Sequence, residues 1–195
     1  MNIFELVAVI FGIVSVYLST RQSIWSWPTG IVNVTMYIVV FWQSKLYADM
    51  GLQVVYLALS IYGWYEWLYG GKGHTELHVS RTPRRLAILL AVAGAGTAAL
   101  LGTFLSRHTD ASLPYLDATA TATSLVAQYL MTRKYVESWL VWIVIDVVYV
   151  GMFIYKGLYL TAGLYAVFFA LAVAGWRAWR RAYEGEQIQV EATAA

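Results

Sequence analysis

Long apolar runs, each separated from the next by a short polar or aromatic-rich joint, occupy nearly the whole chain. Their limits fall at about residues 3–20, 27–42, 47–69, 84–103, 113–132, 139–155 and 159–179. Runs of about 20 residues are the length a helix needs to cross a bilayer, so the pattern predicts an all-α membrane protein with seven transmembrane helices. Several joints are only three or four residues long, which makes the helices they join antiparallel neighbours. The first run lacks a basic leader and ends Ser19-Thr20-Arg21 without a small-residue cleavage pattern, and it reads as a retained helix rather than a signal peptide.

The sixth run carries the least expected polarity. At about 100° per residue, Trp139, Trp142, Asp146, Tyr149 and Phe153 fall on one stripe while the opposite face is aliphatic. An aspartate at the centre of a membrane helix costs roughly 3 kcal/mol, so such a residue faces a cavity or a partner.

Composition and charge add topology. The 195 residues are 60% hydrophobic and 12% charged, which excludes an ordinary soluble domain. Ten of the thirteen Lys and Arg, among them Arg21, Arg81, Arg84, Arg133, Lys134 and Arg177, fall on one side of the predicted bundle, and Lys45, Arg107 and Lys156 on the other. The positive-inside rule puts the ten in the cytoplasm, the N-terminus outside and the C-terminus inside. A net charge of +2 therefore reports orientation and offers nothing for nucleic acid. There is no cysteine, hence no disulfide or thiol chemistry. The polar segment after Tyr183 is expected to be disordered.

Laid on itself with a shift of 112 residues, the chain repeats: 20 of 51 positions from Tyr17–Trp67 match Tyr129–Trp179 without a gap. Arg21/Arg133, Trp27/Trp139, Tyr37/Tyr149, Gly63/Gly175 and Trp67/Trp179 are among the pairs. Four crossings separate equivalent positions, so both halves point the same way, a parallel repeat about an axis along the membrane normal. The domains are then a first bundle of three helices (1–69), a loop and linker helix (70–112), a second bundle (113–180) and a polar cytoplasmic tail (181–195). Carriers of this architecture hold substrate near the midplane, where the halves meet. The linker helix contains Ala91-Val92-Ala93-Gly94-Ala95-Gly96, small residues that suit either packing within the chain or an oligomer contact.

Departures from the repeat should mark an asymmetric ligand. Gly30 and Val34 stand where the second half has Trp142 and Asp146, so one half supplies room and the other an aromatic plate and a charge. Asn33, about 100° off that register, is a pocket-edge amide. The third helix presents Gln53, Tyr56, Ser60, Trp64 and Trp67 on one face, against Tyr165, Phe168, Ala172, Trp176 and Trp179 on the seventh. Asp117, Thr121, Ser124 and Gln128 form a polar ladder on the fifth. Plainer readings compete with these. Trp64, Trp67, Trp176 and Trp179, at the cytoplasmic helix ends, are most simply interfacial belt residues. Being duplicated, Trp139 reads more as scaffold than Trp142 does. Pro28 reads as a first-turn helix starter.

Other chemistries find no support. No His lies in a predicted span, and neither GxSxG nor HExxH is present, so the chain is not read as an enzyme. His74 and His78 share metal-like spacing but sit in a polar loop, and no metal or cofactor is expected. Lys156 lies in the joint before the last helix, not inside it as a retinal protein would require. A membrane receptor or binding module stays open, though it has no need of two equivalent bundles.

With these residues placed, the chain resembles the PnuC family of bacterial vitamin transporters, above all nicotinamide riboside carriers. The resemblance covers nearly all of residues 3–180 and rests on INVTMYIVVFWQSKLYADMGLQ and IYGWYEW in the first half, and LMTRKYVESWLVWIVIDVVYVGMF and YKGLYLTAGLY in the second. It implies a 3+1+3 SWEET-like bundle in the bacterial inner membrane, a homotrimer, and facilitated diffusion without ion coupling, with cytoplasmic phosphorylation trapping the product for NAD biosynthesis. Carried over, it makes Asn33, Gln53, Trp139, Trp142, Asp146 and Tyr149 or Tyr165 pocket residues, to which the polar faces add Tyr56, Ser124 and Gln128. Related members carry thiamine, riboflavin or deoxynucleosides. An aromatic plate beside a carboxylate suits the flat pyridinium cation of nicotinamide riboside, and thiamine is the nearest competitor.

Overall fold

In the computed structural model, which describes residues 3–45, 47–109, 113–155 and 157–194, seven α-helices account for nearly all of the chain. They are α1 (Ile3–Thr20), α2 (Ser26–Gln43), α3 (Tyr47–Tyr69), α4 (Arg84–His108), α5 (Pro114–Thr132), α6 (Glu137–Tyr155) and α7 (Tyr159–Ala194). Four of them, α1, α4, α6 and α7, are long and apolar enough to cross a membrane by length and composition. The other three spend more of their sequence on polar and small residues, and α5 alone buries Ala118, Ala120, Ala122, Ser124 and Ala127. Leu46 and Lys156, both at predicted joints, lie outside the described residues.

The joints are built alike in the two halves. Gln22, between α1 and α2, and its equivalent Lys134, between α5 and α6, both take a left-handed backbone, with φ of 54° and 56°. A reversal this tight needs one such residue to turn the chain before the next helix starts. Pro28 falls in the first turn of α2 and Pro114 opens α5, positions where a missing N–H costs nothing.

Around the bundle, α1 packs on α2 and α7, α3 on α2 and α5, and α6 on α5 and α7. The result is a closed ring of six helices, and the 112-residue shift carries each neighbour pair onto another pair of the ring. The remaining helix, α4, sits outside it against α5. Its small residues explain the seat: a Cβ on Gly94 would stand 3.3 Å from Val126, and one on Gly102 would stand 2.5 Å from the Tyr115 ring. Close approach to α5 is thus what these glycines permit, while Leu89, Val92 and Leu100 are left on the outside.

One end of the ring is sealed by four tryptophans, and here two expectations fail. Trp67 and Trp179 are not belt residues; they are 3% and 0% exposed. Trp27 meets Trp67 edge-on with centroids 5.3 Å apart, Trp139 meets Trp179 in the same way at 5.4 Å, and Trp67 and Trp179 touch each other at 5.7 Å. The indole of Trp67 donates to Met131 O at 3.1 Å, and that of Trp179 donates to Ser19 O at 3.0 Å, again repeat-related acceptors. Trp64 differs, at 38% exposed, and fits the belt reading. The second failure concerns the tail. Instead of disorder after Tyr183, α7 continues as helix to Ala194, with Arg180 and Glu184 paired at 2.7 Å one turn apart.

Glycine makes the tryptophan cluster possible. A Cβ on Gly175 would lie 2.6 Å from the Trp139 ring, which is 1% exposed and has nowhere to go. At the equivalent Gly63 a Cβ would collide with the Trp27 ring. Gly175→Ala is expected to cost about 1–3 kcal/mol through forced repacking, read as earlier thermal unfolding in detergent, and Gly63→Ala to behave alike. Gly163→Ala, with open space around it, should leave the unfolding temperature unchanged.

Candidate substrate cavity

Inside the ring lies a cavity of about 480 Å³, within the roughly 300–1,000 Å³ range of small-molecule sites. Its wall includes all ten residues singled out from the sequence: Asn33, Gln53, Tyr56, Ser124, Gln128, Trp139, Trp142, Asp146, Tyr149 and Tyr165. Helix periodicity explains the convergence, since the ring turns one stripe of each helix inward and the polar residues occupy those stripes.

Asp146 is 3% exposed and, among the described residues, has no hydrogen-bond or ion-pair partner. Among the described residues, no Lys, Arg or His lines the cavity. A lone carboxylate in such a wall is costly unless a cation comes to it. One helical turn away stands Trp142, whose repeat equivalent is Gly30. The bare backbone at Gly30 lets Ser15 approach, and the Ser15 hydroxyl donates to Ser26 O at 2.7 Å.

Other polar groups are partly committed. Asn33 donates from its amide nitrogen to Ala8 O at 2.7 Å, which leaves its carbonyl oxygen as the available acceptor. Tyr56 and Ser124 hydrogen-bond each other across the α3–α5 contact, and the Ser124 hydroxyl also reaches Thr121 O at 2.8 Å. That pair joins the two halves at the cavity wall. Trp139 lies at the tryptophan end, edge-on to Trp179, and is as much scaffold as wall.

The opposite end is aromatic and lopsided. Tyr149 stacks on Phe153 at 5.8 Å as Tyr37 stacks on Phe41 at 5.7 Å, but only the second half adds Tyr165, 4.7 Å from Tyr149 and 5.2 Å from Phe153. The first half has Gln53 in that place. Of the ladder on α5, Ser124 and Gln128 reach the cavity, whereas Asp117 and Thr121 do not line it. Ser15, Ser19, Ser26 and Thr161 line it as well and were not anticipated. The signal for Ser15 and Ser19 was a stripe of small residues on α1, easily overlooked because both hydroxyls are spent on backbone carbonyls, of Ser26 and Ser15 respectively, while Ser26 opens α2 with its own hydroxyl buried.

Comparison with known proteins agrees with this architecture. The family described as nicotinamide mononucleotide transporter matches residues 2–181. The chain is 32% identical to the nicotinamide riboside transporter PnuC of Escherichia coli K12, covering 90% of this chain and 84% of that one. It is 29% identical to the riboflavin/roseoflavin transporter RibM of Streptomyces davaonensis, over 90% and 83% of the two chains. A crystal structure of the vitamin B3 transporter PnuC superposes with a TM-score of 0.72 and 25% identity, covering 93% of this chain and 82% of the other. These relatives are transporters, not enzymes. The chain is a multi-pass membrane protein and belongs to the nicotinamide mononucleotide transporter family.

Proposed function

We propose that the protein carries nicotinamide riboside across the bacterial inner membrane by facilitated diffusion, with alternating access and no ion coupling. The observation that carries this reading is Asp146, unpaired among the described residues, beside Trp142 in a cavity that no described Lys, Arg or His lines. The pyridinium would stack on Trp142, a contact worth up to roughly 2 kcal/mol when desolvated, with Asp146 as counter-charge. Asn33, Gln53 and Gln128 supply amides for the ribose, and Tyr56, Ser124, Tyr149 and Tyr165 shape the remainder, with Trp139 closing one end. Nucleoside is favoured over nucleotide despite the family's description, because a phosphate wants Arg or Lys and no described Arg or Lys lines the cavity. The E. coli relative bears the matching name.

All seven helices are taken to span the bilayer, with the N-terminus outside. The repeat and the ring contacts support a parallel 3+1+3 arrangement of SWEET-like kind, in which the two bundles rock about the central site. By family resemblance the assembly is a homotrimer embedded in lipid, and cytoplasmic phosphorylation retains the imported nucleoside for NAD biosynthesis.

Riboflavin, named for the Streptomyces relative, is the second reading, favoured by the aromatic wall but leaving Asp146 without a counter-charge. Proteoliposomes decide among these. Saturable uptake of nicotinamide riboside, unaffected by proton or sodium gradients and weakly competed by riboflavin and thiamine, is expected. Tight binding without net flux would make the protein a receptor instead.

A further inference from the structure

The connection from α3 to α4 does not simply span its gap. Residues 77–82 fold back over the tryptophan end of the cavity and are pinned there. Leu77 N donates to Trp67 O at 3.1 Å, and Val79, 3% exposed, packs into the cluster that holds Trp67, Trp139 and Trp179. Ser80 pairs with the α5–α6 joint: its N–H donates to Lys134 O at 3.2 Å and its carbonyl accepts from Val136 N at 3.0 Å. The Thr82 hydroxyl and backbone N–H both donate to Glu137 Oε2, at 2.9 and 2.8 Å.

Lys134 is the centre of this attachment. Its ammonium donates to Leu77 O at 2.9 Å and lies 4.7 Å over the Trp67 ring. The residue is only 8% exposed, and burial holds its ammonium below the usual lysine range. A lysine is accepted in such a place only if its contacts offset the desolvation.

Two features suggest more than a static cover. The strap is rooted in the first half, at Trp67, yet its polar anchors on the α5–α6 joint, Lys134, Val136 and Glu137, belong to the second half, as does the α7 extension, where Glu186 meets His78 at 2.8 Å and Tyr183 lies under Arg81. Movement of one half against the other must therefore load these contacts. On the cavity wall, the indole N–H groups of Trp27 and Trp139 and the Ser26 hydroxyl are buried and have no hydrogen-bond partner among the described residues. Polar groups that the protein leaves to the cavity make a wall suited to meeting solvent or ligand rather than a permanently sealed core.

We infer that the 77–82 strap is a latch: docked on Lys134 and Glu137 it holds the tryptophan end of the cavity shut, and released it lets that end open. The inference rests on the alternating-access reading for its purpose, but its test does not need transport. Because the chain has no cysteine, Ser60→Cys at the shut end of the cavity gives a single thiol for a membrane-impermeant maleimide in vesicles exposing the strap side. Adding Lys134→Met, which keeps the stem and deletes the ammonium, should speed labelling about tenfold, the scale of losing a charged hydrogen bond. Thr82→Val, which loses only a hydroxyl contact, should speed it about threefold and decides the matter if the first variant does not fold. Labelling as slow in both variants as in the Ser60→Cys parent would overturn the latch. Uptake of nicotinamide riboside by the parent is scored separately, so failure of the transport reading and failure of the latch are told apart.

Discussion

Asp146→Asn is expected to weaken binding of nicotinamide riboside by about thirtyfold, the factor for roughly 2 kcal/mol of lost charge pairing in a desolvated site. The substitution keeps size and shape, so the dihydro form of the same nucleoside, which is neutral, should bind within about twofold of its affinity for the unaltered protein. Calorimetry with the two forms separates charge from fit, since an equal loss for both would make Asp146 a wall residue and remove it from cation recognition. Substitution should also change the stability of the protein itself, because the carboxyl group is 3% exposed, has no partner among the described residues, and a charge at such a place costs more than the isosteric amide. Ligand-free Asp146→Asn should melt later than the unaltered protein while gaining less from added nicotinamide riboside. A residue used only for packing would not move those two readouts in opposite directions.

How far the sequence reaches can be judged from the same helix. Periodicity placed Trp142, Asp146 and Tyr149 on one stripe because a helix fixes side-chain direction within itself. The repeat added which stripes face each other, since positions 112 apart must share surroundings, and the inner wall of the ring follows from that. What escaped was set by neighbours without a period of their own. Trp67 and Trp179 stand at helix ends, where an isolated helix would offer them to the interface. They are buried because the irregular strap at 77–82 covers them, and nothing in its composition announces that it folds back. The α7 extension escaped for a related reason: a polar segment reads as disorder, but here Glu186 has His78 and Arg180 has Glu184 to hold the helix past the apolar run. On α5, four polar residues spaced four, three and four apart share a face, yet only Ser124 and Gln128 line the cavity, because the depth at which the ring opens is a tertiary quantity.

The largest stability effect should come from Trp179. Trp179→Ala is expected to cost about 3–5 kcal/mol, the usual range for removing a fully buried large aromatic, and to lower the unfolding temperature of the detergent-solubilised protein sharply. The ring is 0% exposed, touches Trp67 and Trp139, and spends its N–H on Ser19 O, so truncation opens a void and takes a hydrogen bond with it. Trp64→Ala, on the same end of the bundle but 38% exposed, should cost less than about 1 kcal/mol. Were Trp179 an interfacial anchor, the two substitutions would be alike and both mild. Because Trp67 and Trp179 are repeat equivalents in contact with each other, Trp67→Ala should be nearly as damaging, and the double substitution should cost measurably less than the sum of the two. Additive losses would mean that the tryptophans stabilise their own halves independently, and the shut end of the cavity would then lack the shared core on which the two bundles meet.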